Sequence, residues 1–181
     1  ENPGKVSFSY TGKLAAYDCM PITVAGLAAL LNRCTDQEVN MVNANLVAER
    51  RGLVVEQSRS TASAFFSHLL TLRLQGKRTI AGTLFEGTPK IVRMRDFDTD
   101  FTPEEHMLVM TYADRPGLIG RIGTILGEAE VNIGAMNLGR RGKGGEAMLV
   151  LSVDSPVDEA IVARLNEAVG ARFVKAVHLT L

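Results

Sequence analysis

The chain has 181 residues, 46% of them hydrophobic and 22% charged, a globular composition with length for one large or two small domains. Lysine plus arginine and aspartate plus glutamate stand at 20 each, so no global field draws nucleic acid or an anionic membrane, and any ligand is recognised locally. No apolar run approaches the roughly 20 residues of a membrane span and no signal-peptide pattern opens the chain, which makes the cytosol the expected location.

Glu1-Asn2-Pro3-Gly4 lacks an initiator methionine and reads as a turn, so the chain is expected to be a piece cut at a linker. From Lys5 to Leu14, Val6, Phe8 and Tyr10 alternate with Ser7 and Ser9, the pattern of a half-buried strand. Pro21 opens a helix, Ile22 to Arg33, with Val24, Leu27, Leu30 and Leu31 on one stripe. Val39 to Asn43 reads as a short strand and Ala44 to Arg51 as a helix stopped by Gly52, with Asn43 and Asn45 placed to cap it. Leu53 to Glu56 resumes as strand. Phe65 to Leu74 and Thr79 to Phe85 read as a hairpin about Gly76-Lys77, and Lys90 to Met94 as a further strand after the Glu86-Gly87-Thr88-Pro89 turn. Asp96 to Glu105 is acidic, carries Pro103 and marks the internal boundary, giving domains 1–102 and 103–181.

Lys90, Arg93 and Arg95 alternate on one face of their strand, near Lys77 and Arg78. Such a cluster could hold a phosphate or carboxylate; a solvated outer face explains it equally well. Cys19 and Cys34 form no CxxC pair and are expected as free, buried thiols. His68, His106 and His178 show no ligand spacing, so no metal site is expected.

The second half is organised around Asp114-Arg115-Pro116-Gly117-Leu118-Ile119-Gly120. The strand Met107 to Tyr112 precedes it, Pro116 suits a first helical turn, and Asp114 or Arg115 is left at the cap. Leu118, Ile122, Ile125, Leu126 and Ala129 share one helical face that packs on a sheet. Gly120, Gly123 and Gly127 each weaken the helix, which implies a close approach to its backbone. Val131 to Leu138 is a strand, Arg140 to Gly145 a hairpin tip and Glu146 to Val153 the returning strand. Pro156 opens a helix through Val169 that Gly170 ends, and Arg172 to Leu181 closes the chain as strand. The order βαββαβ is the ferredoxin-like arrangement, four antiparallel strands with both helices on one face and the other left to be covered, by a neighbouring domain or a second subunit. A dimer is expected.

This turn suits a free amino acid. N–H groups near Gly117 and Leu118 can donate to its carboxylate, Asp114 can accept from its ammonium, and Asn132 offers both a donor and an acceptor. The plainer alternative, that Asp114 only caps the helix and Asn132 only turns the chain, stays open on the residues alone.

Asp114 to Gly120, followed by Val131-Asn132-Ile133, resembles the signature of an ACT domain, an amino-acid-sensing module. Asn43 to Gly52, Ala81-Gly82-Thr83-Leu84-Phe85 and the run from Gly139 to Asp154 are similar to the carboxy-terminal part of long-form D-3-phosphoglycerate dehydrogenases. The resemblance implies an α+β chain in which an intervening, or allosteric substrate-binding, domain precedes the ACT domain. It implies L-serine as feedback inhibitor between paired ACT domains, with ligands at Tyr112, Asp114 and Asn132 and backbone donors near Pro116, Gly117 and Leu118. Tyr112 stands where some members have histidine, and Lys90 matches a basic residue that binds anions in some members, while Thr102 stands where an arginine would. The resemblance places NAD and catalysis in other domains of the same polypeptide. No GxGxxG fingerprint or catalytic grouping occurs here, so this piece is expected to be no enzyme and to hold no cofactor. The rival readings are an assembly module that pairs subunits without an amino acid, and an RNA binder, against which zero net charge and the lack of paired aromatics on central strands argue.

Overall fold

The computed structural model describes residues 4–62, 65–75, 78–142 and 144–180. The expected opening turn at Glu1 to Pro3, the hairpin tip at Gly76-Lys77, Lys143 and the closing Leu181 lie outside the described residues. The fold is α+β, with two sheets and four helices, and the chain divides into two compact units, Glu1–Asp96 and Phe97–Leu181.

The first unit contains β1 (Lys5–Gly12), a 3-10 turn (Lys13–Ala16), α1 (Met20–Leu31), α2 (Ala44–Arg50), β2 (Val54–Ser60), β3 (His68–Leu74), β4 (Arg78–Phe85) and β5 (Thr88–Met94). Its strands lie in the order β2-β1-β3-β4-β5; β1 and β2 are parallel and the other neighbours antiparallel. Alternation along β1 puts Val6, Phe8 and Tyr10 into one core with Val24, Leu27 and Leu31 of α1 and Ala44 and Val47 of α2. A Cβ on Gly26 would come within 2.8 Å of the Phe8 ring, so α1 lies hard against β1.

Three expectations fail here. Val39 to Asn43 forms a turn instead of a strand, because its asparagines satisfy the backbone locally. The Asn40 Oδ1 accepts from the N–H of Val42 (2.9 Å) and of Asn43 (3.2 Å), and the Asn43 Oδ1 accepts from the Asn40 N–H (2.8 Å). Engaged in that turn, the Asn43 side chain does not cap α2. Cys34 is exposed, in the turn after α1, while Cys19 is buried as expected.

The second unit contains β6 (Phe97–Phe101), β7 (His106–Ala113), α3 (Leu118–Glu128), β8 (Ile133–Arg140), β9 (Glu146–Val153), α4 (Glu159–Val169) and β10 (Phe173–His178). The strand order β10-β7-β9-β8, with every pair antiparallel, is the expected ferredoxin-like sheet and leaves β8 at an edge. Leu108, Met110 and Tyr112 of β7 meet Leu149 and Leu151 of β9, Leu118, Ile122 and Leu126 of α3 and Leu165 and Val169 of α4 in one core. Arg164 on α4 and Glu128 on α3 tie the two helices at 2.6 Å.

The acidic stretch read as a boundary holds β6, whose alternation of Phe97 and Phe101 with Asp98 and Asp100 is a strand pattern masked by charge. The Asn137 Nδ2 donates to the Asp100 carbonyl at 2.8 Å, placing β6 beside β8. The sheet face away from the helices is not left open: Met107, Val109, Thr111, Met148 and Val150 are all buried. Pro156 lies outside α4, which Asp158 caps by accepting from the Ile161 N–H at 2.8 Å. None of the helices among the described residues is long and apolar enough to cross a membrane.

Candidate functional site

The β7–α3 turn differs from expectation in how the helix begins. Gly117, at φ 87, takes the N-cap position, and no side chain caps α3. That left-handed conformation favours glycine and lets the chain reverse after Pro116, so the helix starts at Leu118 and Pro116 lies outside it. Pro116 has no N–H to offer; the donors of this turn are the N–H groups at Gly117 and Leu118, which have no i−4 carbonyl within the helix.

Relieved of capping, the Asp114 side chain turns to the end of β8, where its Oδ2 lies 3.1 Å from the Arg140 Nε with the carboxylate largely covered. Its N–H donates to the Gly145 carbonyl at 2.8 Å, which fixes the turn to the β8–β9 hairpin. Two residues earlier, Tyr112 is fully buried with its ring in the helix-side core and its hydroxyl without a hydrogen-bond partner among the described residues. Burial pushes the Tyr112 hydroxyl above its ordinary pKa; the Asp114 carboxylate adds to the effect and Arg140 opposes it. A buried polar group without a partner costs about 1–3 kcal/mol.

Asn132 is elsewhere. It precedes β8, is exposed, and its Nδ2 donates to the Asp154 Oδ2 at 2.7 Å. The strand register shows the separation: Ile133 pairs with Val153, whereas Arg140 and Tyr112 both pair with Ala147. Seven residue steps along β8 separate these ends, about 23 Å at the usual strand rise. One chain therefore brings together Tyr112, Asp114, Gly117 and Leu118, and not Asn132. Arg140 is the residue that the sequence alone did not flag, because it was read as hairpin tip; only the pairing of β8 with β9 sets it beside Asp114.

Close approach to the α3 glycines is also absent among the described residues. A Cβ at Gly120, Gly123 or Gly127 would meet nothing within 4 Å, since the helix buries Leu118, Ile122 and Leu126 and turns its glycines outward. Exposed Ile119 on α3 and Met136 on β8 are further apolar side chains left uncovered.

The basic cluster of the first unit does not form a single strand face. Lys90 is half-buried in β5 and Arg93 is exposed, but Arg95 lies past the strand end at φ 55, its N–H donating to the Thr79 carbonyl. A register shift opposite Ala81 and Gly82 interrupts the alternation, and all three residues have interactions of their own. Lys90 lines an apolar hollow of about 280 Å³ with His68, Leu70, Leu84 and Ile91.

Residues 1–95 match the D-3-phosphoglycerate dehydrogenase intervening domain, and residues 106–170 match the ACT domain. Among curated relatives, the D-3-phosphoglycerate dehydrogenase of Bacillus subtilis is 33% identical over 178 residues, 96% of this chain and 34% of its own length. Those of Synechocystis and Archaeoglobus fulgidus are each 32% identical, over 93% and 92% of this chain and 31% and 32% of their own lengths. The chain thus spans about a third of the length of the curated relatives it matches. With the first match covering more than half of its residues, the chain belongs to the D-3-phosphoglycerate dehydrogenase intervening-domain family and carries an ACT domain behind it.

Proposed function

We propose that this chain is the regulatory and oligomerising part of a D-3-phosphoglycerate dehydrogenase in serine biosynthesis, with residues 1–102 as intervening domain and 103–181 as ACT domain. Two ACT domains pair, and each pair of half-sites binds L-serine as feedback inhibitor. Catalysis and NAD belong to other domains of the same polypeptide in the cytoplasm.

The observation that carries this reading is the division of the candidate ligands between the two ends of an edge strand. The order β10-β7-β9-β8 leaves β8 with no strand laddered to its outer edge, β6 meeting it through the Asn137 side chain, so that edge can pair. Joining two copies antiparallel along β8 sets the Ile133 end of one against the Arg140 end of the other, so Asn132 of one copy arrives beside Asp114, 3.1 Å from its own Arg140. The α3 glycines and exposed Met136 are uncovered and suit the close approach of a second copy. Asp114 then receives the ammonium, the Gly117 and Leu118 N–H groups the carboxylate, and Tyr112 and Asn132 the remaining polar atoms. Serine regulates only by binding two arrangements of the dimer unequally, typically by about 1–3 kcal/mol.

A second reading rests on a specific observation as well: Asp114 and Asn132 are already paired, to Arg140 and to Asp154. On that reading the domain joins subunits and has no amino-acid ligand. Calorimetric titration of L-serine, with D-serine as control, separates the two. Saturable binding of the L form alone, lost in Asp114→Ala, supports the sensor. A stable dimer that takes up no serine at two temperatures supports the assembly module.

A further inference from the structure

The end of the second sheet opposite the Asp114 turn brings together two histidines that stand 72 residues apart in sequence. His106 opens β7, His178 closes β10, and the antiparallel register pairs them directly, so their side chains lie on the same face. Their Nδ1 atoms are 3.2 Å apart, and the rings stack with centroids 5.0 Å apart at 24°. Glu105, the residue before His106, has its Oε1 3.8 Å from the His106 Nε2. One ligand atom from each of the three lies within 4.8 Å of the others.

From this geometry we infer a binding site for a divalent transition-metal cation of the Zn²⁺ class, formed by Glu105, His106 and His178. Two nitrogens bound to Zn²⁺ at about 2.0–2.1 Å in tetrahedral geometry lie about 3.4 Å from each other, close to the 3.2 Å observed between the imidazole Nδ1 atoms. Two imidazoles with one carboxylate form a ligand set that Zn²⁺, Ni²⁺ and Cu²⁺ favour over Mg²⁺ or Ca²⁺. The adjustments that binding requires fall on mobile groups. Stacked rings must splay so that both Nδ1 lone pairs converge, and His178 is exposed; the Glu105 carboxylate, which faces the His106 Nε2, must swing round to the Nδ1 side, and its side chain is 64% exposed. His106, with a side chain only 17% exposed, is the anchor. Water completes the coordination, as in open metal sites.

The surroundings favour a cation. Glu104 and Asp154 line an open hollow of about 340 Å³ on the Glu105 side of His106, while His178 lines a separate hollow of about 90 Å³ on its other side, shared with His106. The Leu179 N–H donates to the Glu105 carbonyl at 2.9 Å, so the backbone on both sides of the site is already tied. A bound ion would lock the first strand of the four-stranded sheet to its last. This site uses none of the residues of the amino-acid site, and it stands or falls independently of serine.

The test is equilibrium binding of Zn²⁺ to the 181-residue chain, free of any polyhistidine tag, by competition with a chromophoric chelator, with Co²⁺ absorption as a second readout. One site per chain of micromolar affinity or tighter is expected, with the intense visible bands of tetrahedral Co²⁺. His178→Ala, an exposed and fold-neutral change, should weaken binding by at least about tenfold, and Glu105→Gln should weaken it less. His68→Ala and Cys34→Ala should leave it unchanged. Zn²⁺ affinity weaker than millimolar, or affinity undiminished in His178→Ala, overturns the site.

Discussion

Tyr112 and Asp114 stand two residues apart at the end of β7, one sealed in the core with an unpartnered hydroxyl, the other turned to Arg140. The difference makes separable predictions. Tyr112→Phe removes a buried hydroxyl that bonds to nothing, so denaturant unfolding should show stability unchanged or raised by up to about 1 kcal/mol, while serine affinity falls. A loss of stability above about 1 kcal/mol would mean that the hydroxyl has a structural partner. Burial also raises the pKa of both Tyr10 and Tyr112 above the ordinary 10.0, against the Thr23 hydrogen bond in the first and Arg140 in the second. The folded chain therefore favours the neutral phenols. That stabilisation is complete below about pH 10 and is lost as pH rises through the higher folded values. The melting temperature should fall above pH 10, and less steeply in Tyr112→Phe.

At the scale of elements, α3 and α4 begin by different devices. Gly117 sits at φ 87, so Gly117→Ala should cost about 1 kcal/mol in unfolding free energy although a Cβ there meets nothing. Asp158 accepts from the Ile161 N–H, and Asp158→Ala should cost about the same. Equal stability of either variant and the parent chain would contradict the assignment of these starts. Periodicity made most elements legible, as with Val6, Phe8 and Tyr10 on β1 or Leu118, Ile122 and Leu126 on α3. It failed where polar side chains competed with the backbone. Asn40 and Asn43 turned an apolar run into a loop, and the aspartates of β6 hid a strand behind a boundary-like charge run. The proline rule misplaced both helix starts of the second unit, because a left-handed glycine and an aspartate cap were stronger local solutions than Pro116 or Pro156. Of the candidate site, the Asp114-Gly117-Leu118 turn could be read from consecutive residues. Arg140, His106 and His178 could not, since only strand register brings them to their neighbours.

At the scale of the whole molecule, Asp114 and Asn132 stand at opposite ends of β8, so the proposed amino-acid site takes one from each of two chains. Serine binding and dimerisation should therefore be linked. L-serine should shift sedimentation of dilute chain toward the dimer, and a variant with a charge on the exposed edge, Met136→Glu, should lose both together. The most direct measurement mixes two silent variants. Asp114→Ala and Asn132→Ala chains are titrated with L-serine separately and after exchange into heterodimers, whose formation native mass spectrometry checks. A two-fold pair built from one of each keeps one site with both residues intact. Negligible binding by each variant alone and recovery of one site per heterodimer is the predicted result. Heterodimers that stay silent, or an Asn132→Ala homodimer that binds serine as well as the parent chain, would contradict a site shared between chains.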